Sequence, residues 1–367
     1  MVTGAQVRRV VVHSLDDVRL EAVPEPTPGP GEALVRSTVV GVCGSDLHAA
    51  RGRHPFIPLP YRPGHEVVGV VEAAGEGVDG SWVGRRVVVE PNLHCGRCQP
   101  CREGRYNICE HLQVFGCQVP GGMTDAFTIA VDRLHALPDS LSDTAAAFVE
   151  PLSTPLRAVR RAGDLRGRRV VVLGAGPIGL LVLLSALRAG AAAVVVADPL
   201  ASKRERAVAL GAAGALDASS PDVDLQGRAL LGGTADVVFD CVSRESTVRQ
   251  GIDLLRKGGT LVVVGVAPGS VPVPLHLVQD REIDVLGSLM FVREDVREAI
   301  AMLAEGAVPV EGLVTASFDI SQAAQAFAAS ADPEQLKVLV TLTRSAAEEG
   351  PSGRGGPGTA PAPVSRS

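Results

Sequence analysis

Short apolar runs separated by glycine and proline turns make up the first 150 residues. The runs read EALVRSTVV, EVVGVVEAA, RRVVVEP and FTIAV, and turns such as PGPG and GEG lie between them. Apolar runs that end at turn residues predict strands, and their close succession favours antiparallel pairing. We therefore predict a mostly antiparallel β domain over residues 1–155.

A second pattern begins near residue 156. The stretch RRVVVLGAGPIGLLVLLSALRAGAAAVVVAD reads as strand, glycine turn, apolar helix and strand, and ALDA, ADVVFDCV, GTLVVVGV and IDVLGS continue as strands between helical segments. Continuous apolar strands that alternate with helices predict an α/β domain with a doubly wound parallel sheet. We assign this domain to residues 156–294, a return to the first domain to residues 295–344, and a disordered tail rich in Gly, Pro and Ser to residues 345–367.

Length and charge narrow the classes of function. The 367 residues favour two domains, and the net charge of −6 comes from 35 basic and 41 acidic side chains that are well mixed. Without a basic stripe, nucleic acid is not an expected partner. The first residues show no secretory signal, and glycines and a proline interrupt the apolar stretch 170–196. We therefore expect a cytoplasmic protein that does not bind membranes.

A glycine-rich turn between a predicted strand and a predicted helix indicates a dinucleotide site. Backbone amides of such a turn approach a pyrophosphate at the positive end of the helix. Asp198 ends the next predicted strand, where its carboxylate would accept from the adenosine ribose and repel a 2′-phosphate, which favours NAD. The positive side chains of Lys203, Arg204 and Arg206 could bind that 2′-phosphate, so NADP stays the alternative. The turn consists of Gly174, Ala175, Gly176, Pro177, Ile178 and Gly179.

Four of the seven cysteines fall within fifteen residues and predict a closed metal site. Four thiolates at this spacing suit a tetrahedral zinc with a structural role, in a lobe over residues 90–112. A [4Fe–4S] cluster is the alternative, but Glu110 stands where such motifs often carry proline. We expect His94 to be a bystander, and Cys117 and Cys241 to be ordinary free thiols. The four ligands are Cys95, Cys98, Cys101 and Cys109.

A second metal candidate combines residues that are far apart in sequence. Cys43 and His65 each lie in a glycine-flanked turn at a predicted strand end, and Glu150 precedes the nucleotide-binding unit. An open set of sulfur, imidazole and carboxylate ligands is what zinc needs to act as a Lewis acid. We therefore predict a catalytic metal site here.

Five ordered segments carry a family resemblance: GVCGSDLH, PGHEVVGVV, the cysteine lobe, FVEPLS and GAGPIG. Over about residues 8–343 the chain resembles the zinc-containing medium-chain dehydrogenases, and among them most closely the sorbitol, butanediol and threonine dehydrogenase branch. The resemblance implies a GroES-like catalytic domain built from both ends of the chain, an inserted Rossmann domain that binds NAD, and two zinc ions per chain. It also implies that Cys43, His65 and either Glu66 or Glu150 hold the catalytic zinc.

The same resemblance implies the roles of the remaining site residues. Zinc would lower the pKa of the bound alcohol, and Ser45 would pass its proton through the nicotinamide ribose to His48. Asp46 would orient neighbouring groups. Hydride would then pass to the nicotinamide, whose carboxamide would meet the backbone at residues 264–266 and 289–291. The cofactor-binding set is thereby completed by Lys203, Val264, Val266 and Leu289.

The substrate is less clearly indicated. Sorbitol dehydrogenases carry an arginine flanked by aromatics where this chain reads GSLMF, and butanediol-type enzymes are more similar there. A neutral diol or polyol fits better than an amino acid, although Arg51 or Arg53 could hold a carboxylate. Pocket-lining candidates are Phe56, Phe115, Leu289, Met290 and Phe291.

Several alternatives stay open beside an NAD-linked polyol or diol dehydrogenase. One is an L-threonine 3-dehydrogenase-like or aminocyclitol dehydrogenase with the same chemistry. Another is a zinc- and NAD-binding redox sensor without turnover, which the proton relay disfavours. The same residues disfavour a zinc-free quinone reductase. Relatives of this branch suggest a homotetramer or homodimer.

Overall fold

Two large sheets carry the architecture. The computed structural model describes residues 5–267 and 269–342, so the tail expected at 345–367 lies outside the described residues. The strands are β1 (Gln6–Ser14), β2 (Asp17–Pro24), β3 (Glu32–Val42), β4 (Glu66–Ala74), β5 (Arg86–Val89), β6 (Asn92–Leu93), β7 (Gln113–Val114), β8 (Ala126–Ala130), β9 (Leu134–Ala136), β10 (Arg169–Leu173), β11 (Ala193–Ala197), β12 (Gly214–Leu216), β13 (Ala235–Asp240), β14 (Leu255–Val263), β15 (Asp284–Gly287), β16 (Val314–Asp319) and β17 (Lys337–Thr341).

The helices lie mainly in the second half of the chain. They are α1 (Gly44–Ala50), α2 (Gln99–Arg102), α3 (Asp143–Ala146), α4 (Val149–Ala162), α5 (Pro177–Arg188), α6 (Ala201–Ala209), α7 (Val223–Leu231), α8 (Glu245–Leu254), α9 (Leu275–Asp280), α10 (Arg293–Ala304) and α11 (Ala323–Ser330). Short 3₁₀ turns lie at Gly80–Trp82, Tyr106–Ile108, Val131–Arg133, Val310–Gly312 and Ile320–Gln322. No helix in the described ranges has the length and apolar character needed to cross a membrane.

The first sheet joins both ends of the described chain. Its order is β16-β17-β3-β4-β5-β9, with β8 also paired to β3. The pairs are antiparallel except β16 with β17. The four apolar runs predicted in the first 150 residues form β3, β4, β5 and β8. Because β17 pairs with β3, the end of the described chain lies beside the strand that leads to Cys43.

The second sheet is entirely parallel, with the order β12-β11-β10-β13-β14-β15. From β10 the chain first moves to β11 and β12, and then crosses to β13 on the other side. In such sheets a ligand binds outside the carboxyl ends of the strands, where this direction reverses. The prediction of a GroES-like antiparallel sheet combined with a Rossmann parallel sheet is confirmed.

Helix α4 connects the two sheets because its apolar residues form one face. They recur at intervals of three and four residues, which places them on one side of a helix, while the arginines of the last turns point elsewhere. This face packs in the largest hydrophobic core with residues of α5 and α10. The buried residues on it are Val149, Leu152, Leu156 and Val159.

Candidate functional site

The turn after β3 sets up the first part of the site. Cys43 caps the start of α1, and its backbone N–H donates to Asp46 Oδ2 at 2.9 Å. Asp46 is fully buried, and its Oδ1 accepts from the Tyr61 hydroxyl at 3.0 Å. Ser45 and His48 are three residues apart on α1, so they share one face of the helix. The helix thus carries the thiol and both residues of the predicted proton relay.

His65 enters the site from the turn before β4. Gly64 has a φ of +108°, and a Cβ there would lie 2.3 Å from the backbone N of Met123, so only glycine fits. The buried His65 ring places Nδ1 4.0 Å from Asp46 Oδ1 and 4.0 Å from Cys117 Sγ. The close passage of two backbones therefore fixes the imidazole beside a carboxylate and a thiol.

Cys43, His65 and Glu66 come together as a candidate metal centre. One ligand atom of each lies within 4.8 Å of the others. Sulfur, imidazole nitrogen and carboxylate oxygen form a donor set that suits zinc and leaves coordination open for a substrate. Glu150, the other predicted carboxylate, lies outside this group, although its charge acts on His65 and Glu66. The geometry thus brings Glu66, rather than Glu150, into the ligand set.

Glu66 also has a cationic partner that the sequence analysis missed. Lys337, from β17, donates to both Glu66 oxygens at 2.7 Å, and both side chains are buried. Gly41 on the intervening β3 provides the room, because a Cβ there would lie 1.8 Å from Glu66 Oε2. Three neighbouring strands thus supply the thiol, the carboxylate and the ammonium group.

The charges at this centre influence one another strongly. Burial, reinforced by the charges of Glu66 and Asp46, raises the pKa of Glu150 to about 7. Burial alone would lower the pKa of His65, but the negative charges of Asp46, Cys117 and Cys43 outweigh it and raise the pKa well above its ordinary value. A cluster of buried acids beside a thiol and an imidazole is an environment that a divalent cation would stabilise.

The proton-relay candidate His48 lies at the exposed side of α1. Partial burial lowers its pKa, and the positive charges of Arg51, Arg53 and Arg244 lower it further. A histidine that stays neutral near physiological pH can accept a proton and release it to solvent.

The four clustered cysteines form a second candidate metal site. Their sulfurs all lie within 4.8 Å of one another, with Cys98 Sγ 3.3 Å from Cys101 Sγ and 3.7 Å from Cys109 Sγ. Zinc–sulfur bonds of about 2.3 Å would place the sulfurs of a tetrahedral site about 3.8 Å apart. Backbone N–H groups of Arg97 and Cys98 lower the pKa of Cys95 to about 6, which favours the thiolate. His94 stacks on Tyr106 and lies outside this group.

The glycine turn has the shape of a phosphate cradle. Gly174 has a φ of +96°, and a Cβ on Gly179 would lie 1.8 Å from the Gly174 carbonyl oxygen, so the helix can approach the strand only with glycine there. A Cβ on Gly176 would meet nothing within 4 Å, which leaves space in front of the turn. Pro177 and Ile178 begin α5 behind it, with the helix's positive end directed at this space.

Asp198, the residue predicted to meet the adenosine ribose, lies directly beside the glycine turn. Its Oδ2 accepts from Ala175 N at 2.8 Å and its Oδ1 from Leu200 N at 3.0 Å. Arg204, one of the side chains considered for a 2′-phosphate, instead donates to the carbonyl oxygens of Asp198 and Pro199. Lys203 is half-buried on the same helix.

The remaining cofactor candidates lie at the carboxyl ends of β14 and β15. Val264 and Val266 follow β14, and Leu289 follows β15; Val266 and Leu289 are about half exposed. The two ends are neighbours because Ser288 N donates to the Val263 carbonyl. All three residues therefore share the sheet edge that carries the glycine turn.

The aromatic and apolar residues predicted to line the substrate pocket differ in their exposure. Phe56 and Leu289 are exposed, whereas Phe115 and Phe291 are buried. Phe115 packs on Phe127 with ring centroids 5.0 Å apart, and Phe291 lies in the largest core. For these two buried rings the expectation is therefore wrong, because sequence alone does not separate core aromatics from pocket aromatics.

Sequence reasoning also missed several polar residues around the site. Tyr61 and Cys117 lie beside Asp46 and His65, but neither stands in a recognisable motif. Cys117, expected to be an ordinary thiol, thus lies next to a candidate metal ligand. For Lys337 a signal existed, because it is a single charge within the apolar run LKVLVTL.

Comparisons with known proteins agree with this geometry. The alcohol dehydrogenase GroES-like domain family matches residues 29–139, and the zinc-binding dehydrogenase family matches residues 177–305. Sorbitol dehydrogenase of Ovis aries is 37% identical over 339 residues, covering 90% of this chain and 95% of that protein.

Two solved structures are similar over almost their whole length. One, from Sinorhizobium meliloti 1021, is described as a zinc-binding dehydrogenase bound to NADP; it has a TM-score of 0.85 and 32% identity, covering 92% of this chain and 99% of that chain. The other, 2R,3R-butanediol dehydrogenase from Bacillus subtilis, has a TM-score of 0.84 and 29% identity, covering 91% and 99%.

Proposed function

Because this chain belongs to the zinc-dependent medium-chain dehydrogenases, in their sorbitol dehydrogenase-like branch, we propose that it oxidises a secondary alcohol of a small neutral polyol or diol to the ketone with NAD⁺. Its class as a zinc alcohol or polyol dehydrogenase that uses a nicotinamide cofactor follows from the family. The kind of alcohol and the choice of NAD go beyond the family and are proposed here from the site. The observation that carries the proposed alcohol oxidation is the meeting of Cys43, His65 and Glu66 beside the relay residues of α1.

Two zinc ions would be held by separate groups of residues. Cys43, His65 and Glu66 would hold the first, which would act as a Lewis acid on the alcohol oxygen. The four-cysteine lobe would hold the second in a closed, structural site, since all of its ligands come from the protein. Glu150 lies close enough to influence the first ion by its charge, without belonging to the ligand group.

The protein's own side chains would move the proton and orient the ligands. Ser45 would accept the alcohol proton and pass it towards His48, whose lowered pKa keeps the imidazole free to take it. Asp46 would hold the His65 ring in place from the Nδ1 side, as carboxylates do behind metal-bound imidazoles. Lys337 would fix both oxygens of Glu66.

The preference for NAD depends on Asp198. Its carboxylate is held rigidly beside the glycine turn, where it would accept from ribose hydroxyls and repel a 2′-phosphate. Arg204, which could attract that phosphate, is already committed to two carbonyl oxygens. The Sinorhizobium meliloti relative binds NADP, so a direct comparison of both coenzymes belongs to the test.

A neutral substrate is supported by the segment at the end of β15. The segment GSLMF stands where sorbitol dehydrogenases carry an arginine flanked by aromatics, and Phe56 and Leu289 expose apolar surface. These residues offer no charge to a carboxylate, which favours a diol or polyol over an amino acid. L-Threonine remains a second candidate, because Arg51 and Arg53 lie near His48 and could hold its carboxylate; they give no such support to an aminocyclitol.

We also propose a homo-oligomer, a tetramer or a dimer. Strand β15 is an edge of the parallel sheet; Val285 on it and Leu275, at the start of the preceding helix α9, are 42% and 70% exposed. An apolar edge strand of this kind favours pairing with another copy. Sedimentation velocity would separate these states from a monomer.

The test is coenzyme reduction over a panel of polyols, 2,3-butanediol stereoisomers, L-threonine and aminocyclitols, with NAD⁺ and NADP⁺ in parallel. We expect turnover of a neutral diol or polyol with NAD⁺, abolished in Cys43→Ala together with the loss of one of two zinc ions per chain. Turnover confined to L-threonine or to NADP⁺ would contradict the proposed substrate or coenzyme. Binding of zinc and NAD⁺ without turnover of any alcohol would favour the redox-sensor alternative.

A further inference from the structure

The chain has only two asparagines, and both donate to the same short segment. Asn107 Nδ2 donates to the Leu289 carbonyl oxygen at 2.7 Å, and Asn92 Nδ2 donates to the Phe291 carbonyl oxygen at 2.7 Å. Both asparagines are almost completely buried. The donors and acceptors are 182 and 199 residues apart in sequence, so these bonds tie the cysteine lobe and its neighbouring strand to the end of β15.

A third bond continues the pattern along the segment. The backbone N–H of Arg293 donates to the hydroxyl of Tyr106, the residue before Asn107. Leu289, Phe291 and Arg293 are alternate positions of the segment that follows β15, and each has one backbone group bonded to a side chain from residues 92–107. Three side chains thus hold the segment 289–293 through its backbone after β15 has ended.

The held segment contains a strained residue. Met290 has a φ of +47°, a conformation that residues other than glycine rarely adopt. Such strain persists where the surroundings determine the backbone, and it is concentrated at functional sites. The bonds to Leu289 and Phe291 fix the carbonyls immediately before and after Met290.

The asparagines are not optimised for stability alone. The Oδ1 atoms of both are buried without a hydrogen-bond partner among the described residues. An unpaired buried acceptor is unfavourable and needs an explanation. In each amide the nitrogen thus donates to one backbone carbonyl, while the oxygen makes no hydrogen bond with the described residues. This indicates that holding the segment in position is important for function.

The order of the strands places this segment beside the nicotinamide half of the coenzyme. Asp198, at the adenosine side, follows β11 on one side of the β10 glycine turn. A dinucleotide whose pyrophosphate lies at that turn must extend its other half over β13, β14 and β15. Leu289 follows β15 at this edge with 49% of its surface exposed.

We propose that Asn92 and Asn107 are positioning residues for coenzyme binding, which hold the segment 289–293 against the nicotinamide half and thereby couple the cysteine lobe to the Rossmann sheet. The inference rests on the proposed function, because it requires a dinucleotide at the glycine turn. Neither asparagine touches the reacting atoms. Both act through the backbone of the segment.

The experiment uses Asn107→Leu and Asn92→Leu in the zinc-loaded protein. Each change keeps about the same side-chain volume and removes the N–H donor without placing a titratable group in the buried site. NADH affinity is measured by nicotinamide fluorescence, and the affinity for ADP-ribose, which lacks the nicotinamide, by calorimetry. We expect the Kd for NADH to rise about tenfold, the value of one lost hydrogen bond of about 1.4 kcal/mol, while the Kd for ADP-ribose changes less than twofold. KM for NAD⁺ should rise with little change in kcat.

The matched control is Arg281→Met. Arg281 also donates to two backbone carbonyls, those of Ile252 and Leu255, but at the amino end of β14. The Arg281→Met variant should therefore bind NADH and ADP-ribose with unchanged affinity. If the asparagine variants bound NADH and ADP-ribose with equally reduced affinity, the two residues would have only a structural role, and the proposal would be wrong. An unchanged affinity for NADH would also overturn it. Failure of the unaltered protein to bind NADH would instead contradict the proposed function.

Discussion

The ion pair between Lys337 and Glu66 yields the sharpest prediction for the candidate metal centre. The ammonium group lies 2.7 Å from both carboxylate oxygens, and the side chains are 3% and 1% exposed. Burial alone would lower the pKa of Lys337, but the charges of Glu66 and Cys43 outweigh it and raise the pKa, so the lysine stays charged. Lys337→Met retains the aliphatic volume and leaves Glu66 buried without its cation.

The expected loss of stability is large in the metal-free protein. Removal of one partner of a buried ion pair costs about 3–5 kcal/mol, because the other charge is left uncompensated. This is a substantial part of the roughly 5–15 kcal/mol that stabilises a typical domain, and it corresponds to a fall in melting temperature on the order of 10 °C. Zinc bound at Cys43, His65 and Glu66 would supply another positive charge to the carboxylate, so the loss should be about half as large or less with zinc.

The assay is thermal unfolding of the unaltered protein and the variant, each with and without zinc. Lys257→Met is the matched control, since Lys257 lies 3.6 Å from Asp280 in a pair whose side chains are 73% and 67% exposed, and such surface pairs contribute about 0–1 kcal/mol. Adding Glu66→Gln to Lys337→Met should recover part of the loss in the metal-free protein. The reasoning is refuted if Lys337→Met costs no more than Lys257→Met, or if zinc leaves the loss unchanged.

Two further predictions concern pH. Glu150 keeps its proton in the folded, metal-free protein up to a pKa of about 7, compared with an ordinary value of 4.5. It therefore contributes stability that is complete below about pH 4.5 and is lost as the pH rises through 7. Glu150→Gln should be more stable than the unaltered protein at pH 8, by at most roughly 3.5 kcal/mol at ~1.4 kcal/mol per pKa unit, with no difference at pH 4.5; urea unfolding at both pH values would show this, and an equal difference at both would contradict it. Arg51 lowers the pKa of His48 by its charge, so Arg51→Gln should move the acidic limb of kcat/KM to higher pH, whereas an unmoved limb would argue against His48 as the end of the relay.

Much of the fold could be predicted because its signals are local. Apolar runs between glycine turns mark β3, β4, β5 and β8, and the alternation of strands and helices marks the parallel sheet. The same holds for the cysteine lobe and for the glycine turn, where the residue types follow from the ligand that they would bind. Each of these elements is specified by residues that are close together in the sequence.

The parts that sequence did not predict depend on contacts between distant residues. Asn92 and Phe291 are 199 positions apart, and Glu66 and Lys337 are 271 apart. No local pattern specifies such a pair, since each partner is consistent with several neighbours until the strand order is known. The core positions of Phe115 and Phe291 escaped prediction for the same reason.

Two features of the sequence nevertheless indicate the Glu66–Lys337 pair. Lys337 is a charge inside an apolar strand, and Gly41 interrupts the strand STVVGV, where a glycine often indicates the close approach of another group. Both features are unfavourable for an isolated strand and become consistent only when β17, β3 and β4 lie side by side. The missing side chain of Gly41 then makes the space that Glu66 occupies beside Lys337. Departures from the pattern of a strand thus mark the place where the fold builds its candidate metal centre.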